Sequence, residues 1–119
     1  MTIKTIYTLV LTFALTMLSI TTVQAENCET IQFERGHSSV VIEGTASPDG
    51  IICYEITTGD GQTADIAISG ANMMFSIDGV TDAQYQYQFT TANKTYAIRV
   101  GQLMRSVTDQ AYTLTISIH

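Results

Sequence analysis

Gln84-Tyr85-Gln86-Tyr87-Gln88-Phe89 is the cleanest two-residue period in the chain. In an extended segment it sets three aromatic rings on one side and three glutamines on the other, because successive strand side chains point to opposite faces. Such a stripe can bind carbohydrate. Alternating with glutamines on a strand, it is more often a core face, and that reading carries more weight. The same period recurs on both sides of it. Upstream, Met73, Phe75 and Ile77 form an apolar phase that Asp78-Gly79 ends, and residues 62–69 alternate Ala64, Ile66 and Ile68 with Thr63, Asp65 and Ala67. Downstream, residues 95–100 turn Tyr96, Ile98 and Val100 inward and Arg99 outward. Tyr112, Leu114, Ile116 and Ile118 make the last apolar face.

Turn signals separate these runs: Ser47-Pro48-Asp49-Gly50 with the only proline, Gly59-Asp60-Gly61, Gly70-Ala71-Asn72, Thr91-Ala92-Asn93-Lys94, and a longer connection over 101–110. Ile51-Ile52-Cys53-Tyr54-Glu55-Ile56-Thr57 is a further strand, with Ile52, Tyr54 and Ile56 inward and Cys53 outward. In Phe33-Glu34-Arg35-Gly36-His37-Ser38-Ser39-Val40-Val41-Ile42-Glu43-Gly44, the apolar pieces Ile31/Phe33 and Val40/Ile42 predict two short strands. A kink at Gly36 joins them and Gly44 ends the second. No stretch beyond residue 25 has a helical period. The expectation is an all-β fold, an antiparallel β-sandwich of seven to eight short strands, with Ile42, Tyr54, Ile66, Phe75, Tyr87, Ile98 and Leu114 in one core.

Residues 1–25 carry the parts of a secretory signal: Lys4, a largely apolar run from Ile6 to Ile20, and Val23-Gln24-Ala25 as a small-x-small cleavage site. A retained membrane anchor is the alternative, but the run is short and no basic cluster follows it. Ala25-Glu26-Asn27 before Cys28 does not suit lipid attachment. The expected product is an exported, periplasmic domain over 26–119 with no membrane anchor. That segment keeps 4 basic and all 11 acidic residues, a net charge of −7. Such a balance argues against nucleic acid, whose phosphates need clustered Lys and Arg, and fits attraction of a basic partner. In an oxidising compartment, Cys28 and Cys53 are expected to form one bridge, contributing about 3 kcal/mol in the chain-entropy account. Two unbridged thiols are the alternative.

Catalytic chemistry is hard to assemble from these residues. His37 and His119 have no Cys or carboxylate partners at ligand spacing, Ser38 and Ser39 sit in no nucleophile elbow, and the carboxylates are scattered singly. No enzyme activity, metal or cofactor is expected. Asn93-Lys94-Thr95 matches a glycosylation acceptor, a pattern common by chance.

Three blocks carry a family resemblance. They are the Phe33 to Gly44 stretch with Gly36-His37-Ser38-Ser39, the Tyr54 to Ile68 region with Gly61-Gln62 leading an alternating strand, and Tyr96-Ala97-Ile98-Arg99-Val100 with Leu103-Met104-Arg105-Ser106 and Tyr112-Thr113-Leu114. On these blocks the chain resembles the periplasmic inhibitors of goose-type lysozyme and, more distantly, the pre-peptidase C-terminal sandwich domains. The resemblance implies a periplasmic β-sandwich whose protein partner is a lysozyme (a muramidase), inhibited when loops enter its active-site cleft. It puts the partner contact at Arg105, with Ser106, Arg99, His37 and Ser38 as further candidates. Where the family has a second arginine and turn tyrosines, this chain has Asp109 and Asp49-Gly50-Ile51. For Arg105 two readings stand about even: a fork onto a cleft carboxylate, or a cap on carbonyls of its own loop. The alternative function is a non-catalytic carbohydrate- or envelope-binding module of pre-peptidase type.

Overall fold

In the computed structural model, which describes residues 27–33, 35 and 37–119, the two-residue period becomes nine strands. The export signal expected at 1–25, and Glu34 and Gly36 of the kink, lie outside the described residues. The strands are β1 (Glu29–Thr30), β2 (Ser39–Ala46), β3 (Ile52–Thr58), β4 (Thr63–Ser69), β5 (Met73–Ile77), β6 (Thr81–Gln84), β7 (Gln86–Thr90), β8 (Lys94–Gln102) and β9 (Gln110–Ile118). One sheet has five strands in the order β1-β3-β8-β5-β6 and the other four in the order β2-β9-β4-β7. All pairings are antiparallel except β1 with β3. The expected all-β sandwich is what forms.

Burial of one face fixes the register, since a one-residue slip would turn every apolar side chain to solvent. Ile66 on β4 lies opposite Ile116 of β9 and Tyr87 of β7, and Ile98 on β8 lies opposite Tyr54 of β3 and Ile77 of β5. Of the seven expected core residues, Tyr54, Ile66, Phe75, Ile98 and Leu114 are buried. Ile42 and Tyr87 are half-buried against the same cluster, because β2 and β7 are the edges of the four-stranded sheet. A polar contact crosses the core: the Tyr54 and Tyr112 hydroxyls share a hydrogen bond of 2.7 Å between the sheets. Burial, and then that bond, raises the Tyr112 phenol above its ordinary range.

Three sequence expectations need correction. The piece around Ile31 and Phe33 is not a strand. The first strand is Glu29–Thr30, added parallel to β3, and Ile31 N–H donates to the Glu55 carbonyl at 2.9 Å. Gly44 does not end its strand, which runs on to Ala46. Its missing side chain makes room for an aromatic ring, since a Cβ there would fall 2.5 Å from the Tyr112 hydroxyl oxygen. The third correction concerns the aromatic stripe, which does not form one face. Gln84 ends β6 in the five-stranded sheet and Gln86 begins β7 in the other. Tyr85 stands at the crossing, its carbonyl accepting from Ile68 N–H, and is 58% exposed. The turn that permits this lies just before it: Ala83 is left-handed (φ 51°), and the β5–β6 register shifts between Phe75 and Ile77.

Cys28 and Cys53 are bridged, with Cα atoms 4.6 Å apart. Cys53 is on the outward phase of β3, as expected, yet it is buried while standing outside the core cluster. The N-terminal segment lies over it. The bridge and the β1 pairing together cover what would otherwise be the open edge of β3.

Candidate functional site

Strand direction sorts the connections to the two ends of the sandwich. Ala46 pairs with Gln110, Ile52 with Val100, and Met73 with Gln102. The β2–β3 turn (47–51), the β4–β5 turn (70–72) and the β8–β9 loop (103–109) therefore converge at one end.

Amides of two side chains shape the longest of these loops. Asn72 takes a left-handed conformation (φ 61°), which Asn tolerates. Its carbonyl accepts from Leu103 N–H at 2.8 Å, its side-chain oxygen accepts from Met104 N–H at 2.9 Å, and its side-chain nitrogen donates to the Met104 carbonyl. Gln102 works from the other side. Its side-chain nitrogen donates to the carbonyls of Ala46 (3.1 Å) and Thr108 (2.9 Å), while its side-chain oxygen accepts from Ser106 N–H (3.2 Å). Ser106 Oγ lies 2.7 Å from that same oxygen and 2.8 Å from the Thr108 carbonyl, so its one hydrogen is directed within the loop.

Arg105 caps no carbonyl of its own loop in this arrangement. It reaches across to the β2–β3 turn, with Nε 2.9 Å from Asp49 Oδ1 and a terminal nitrogen 3.1 Å from Oδ2. Both side chains remain about three-quarters exposed, at 74% and 72%. Around this pair lie four exposed large apolar residues: Ile51, Leu103, Met104 and Val107, the last 96% exposed. Such a concentration at one end is the pattern of a contact surface, where apolar residues exposed singly elsewhere would mean little.

The other candidate residues fall elsewhere. Arg99 is on the outer face of the five-stranded sheet, opposite Cys53 and Ser76, with its guanidinium on Asp78. The hydrogen bond from Arg99, aided by its charge, holds the Asp78 carboxyl below its ordinary range. His37 and Ser38 border a small groove with Phe33, Thr57, Gln62 and Ile118 at the opposite end, where the Ser38 carbonyl accepts from Ile118 N–H at 2.8 Å. The length of β2 separates them from the Arg105 loop by roughly 23 Å, at about 3.3 Å per residue. Arg105 and Ser106 thus share a surface that His37 and Ser38 do not join.

Asp49, Asn72 and Gln102 are the structural partners that sequence reasoning missed. Asp49 sits in a Pro-Asp-Gly turn, where backbone geometry alone favours an aspartate. Ile51 did carry a signal, since its position is out of phase with Ile52, Tyr54 and Ile56 and so faces away from the core.

No family model matches the chain, and no curated protein matches it. Among solved structures, the fold is that of small β-sandwich lysozyme inhibitors and pre-peptidase C-terminal domains. In particular, it is similar to Aeromonas hydrophila PliG, a periplasmic inhibitor of g-type lysozyme, with a TM-score of 0.68 and 25% identity over 78% of this chain and 96% of that one. Salmonella Typhimurium PliG gives 0.67 and 20% over 80% and 100% of the two chains. The pre-peptidase C-terminal domain of a Bacillus anthracis collagenase is more distant, at 0.56 and 13%, over 82% of this chain and 99% of that domain.

Proposed function

We propose that this protein is an exported, periplasmic inhibitor of g-type lysozyme, without catalytic activity of its own, that blocks the lysozyme cleft with the loop end of its sandwich. The observation that carries the reading is the fold match to the Aeromonas inhibitor, which extends over almost all of that chain at 25% identity. The surface supports it physically. Loop 103–109 is braced by Asn72 and Gln102, so little loop ordering opposes binding. Ile51, Leu103, Met104 and Val107 supply apolar contact area, and Arg105 supplies a planar donor suited to carboxylates.

The reading is tested by comparing wild type with Arg105→Ala in inhibition of a g-type lysozyme. The variant is expected to weaken inhibition by about 2 kcal/mol, roughly thirtyfold, as for a charged residue paired at an interface centre. Its melting temperature should hold, because exposed ion pairs contribute at most about 1 kcal/mol. Arg105→Lys should restore little, since an ammonium cannot reproduce a two-bond fork. Equal inhibition by wild type and Arg105→Ala removes this loop from the mechanism. Retention on isolated cell-wall glycan without inhibition would favour the envelope-binding function of the pre-peptidase type.

A further inference from the structure

We propose that Asp49 is a positioning residue for the partner contact: it holds the Arg105 guanidinium from its Nε side and leaves the opposite, end-on edge directed to a carboxylate of the bound protein. The inference rests on the lysozyme-inhibitor reading and assigns a role to a residue of the neighbouring turn. A guanidinium has five N–H donors in one plane. Asp49 takes those of Nε and one terminal nitrogen, at 2.9 and 3.1 Å. The second terminal nitrogen and the outer hydrogen of the first form the remaining edge, the fork that pairs with a carboxylate through two parallel bonds.

The two residues are 56 positions apart and on different loops, so their contact also ties the β8–β9 loop to the β2–β3 turn. Both are largely exposed, which makes the pair a weak contributor to folding and leaves its main physical effect on the arginine itself. An arginine on an exposed loop samples many rotamers, and fixing one long side chain opposes association. Asp49 selects one orientation before the partner arrives. It also balances the arginine's charge, so the apolar residues on either side, Met104 and Val107, surround a pair that is neutral overall.

The test measures the inhibition constants of Asp49→Asn, Arg105→Ala and the double variant against a g-type lysozyme, alongside NMR of the arginine Nε–H groups in the unbound protein. Asp49→Asn keeps the side-chain shape and removes the charge. It should weaken inhibition by about three- to tenfold, the equivalent of ordering one long side chain, while the melting temperature stays put. The double variant should be no weaker than Arg105→Ala alone, because Asp49 acts only through the arginine. The Arg105 Nε–H should exchange slowly in the wild type and quickly in Asp49→Asn. Inhibition by Asp49→Asn equal to wild type would overturn the proposal. Tighter inhibition would overturn it too, by making Asp49 a competitor of the partner carboxylate. A wild type that does not inhibit would overturn the underlying reading and this role with it, an outcome distinct from failure of Asp49→Asn alone.

Discussion

Ile66→Ala is expected to lower the stability of the folded domain by about 2–5 kcal/mol, the range for emptying a fully buried branched side chain. Ile66 is fully buried at the middle of β4, a strand flanked on both sides by β9 and β7. Both neighbours contribute members of the core cluster or side chains packed against it, so the vacated space is enclosed by strands that cannot close independently. For a domain of this size the loss corresponds to a melting-point fall on the order of 10–40 °C. The topology should survive, since the period that sets the register persists in the other strands. Urea unfolding followed by circular dichroism checks it. A loss below about 1 kcal/mol would mean that Ile66 is not enclosed in this way.

Opening the Cys28–Cys53 bridge should have the second large effect, about 3 kcal/mol for a closure of 25 residues. The effect arises in the denatured chain, which regains freedom once the loop is opened. The native state has its own response. β1 is two residues long and pairs only with β3, so without the bridge little holds it, and its release bares the β3 edge. Replacement of both cysteines by alanine should therefore speed amide exchange at Ile31, whose N–H donates to the Glu55 carbonyl, ahead of any change at β8 or β9. An unchanged unfolding midpoint in the double variant would contradict this account of the N-terminal segment.

What could be read from the sequence was what repeats every two residues. Tyr54, Ile66, Phe75, Ile98 and Leu114 all fell on the buried phase because each lies on a strand with solvent on one face and the core on the other. The same signal misled at Tyr85, where the alternation runs unbroken through a change of sheet. Nothing in a period of two records which sheet a strand joins, and the left-handed residue that makes the turn is an alanine where a glycine would have flagged it. β1 was invisible for another reason: two residues have no period, and the bridge beside them joins cysteines 25 residues apart. At the loop end, Arg105 drew notice through its motif, but its partner was hidden by distance along the chain. Asp49 is an ordinary turn residue until the fold carries it to the guanidinium.

Titrating the purified wild-type protein into a cell-wall lysis assay run with a g-type lysozyme, with chicken-type and invertebrate-type lysozymes in parallel, tests the central claim most directly. The account predicts saturable, stoichiometric loss of g-type activity, with no lysis by the protein alone. Undiminished g-type lysis at a large molar excess of folded, bridged protein would contradict it.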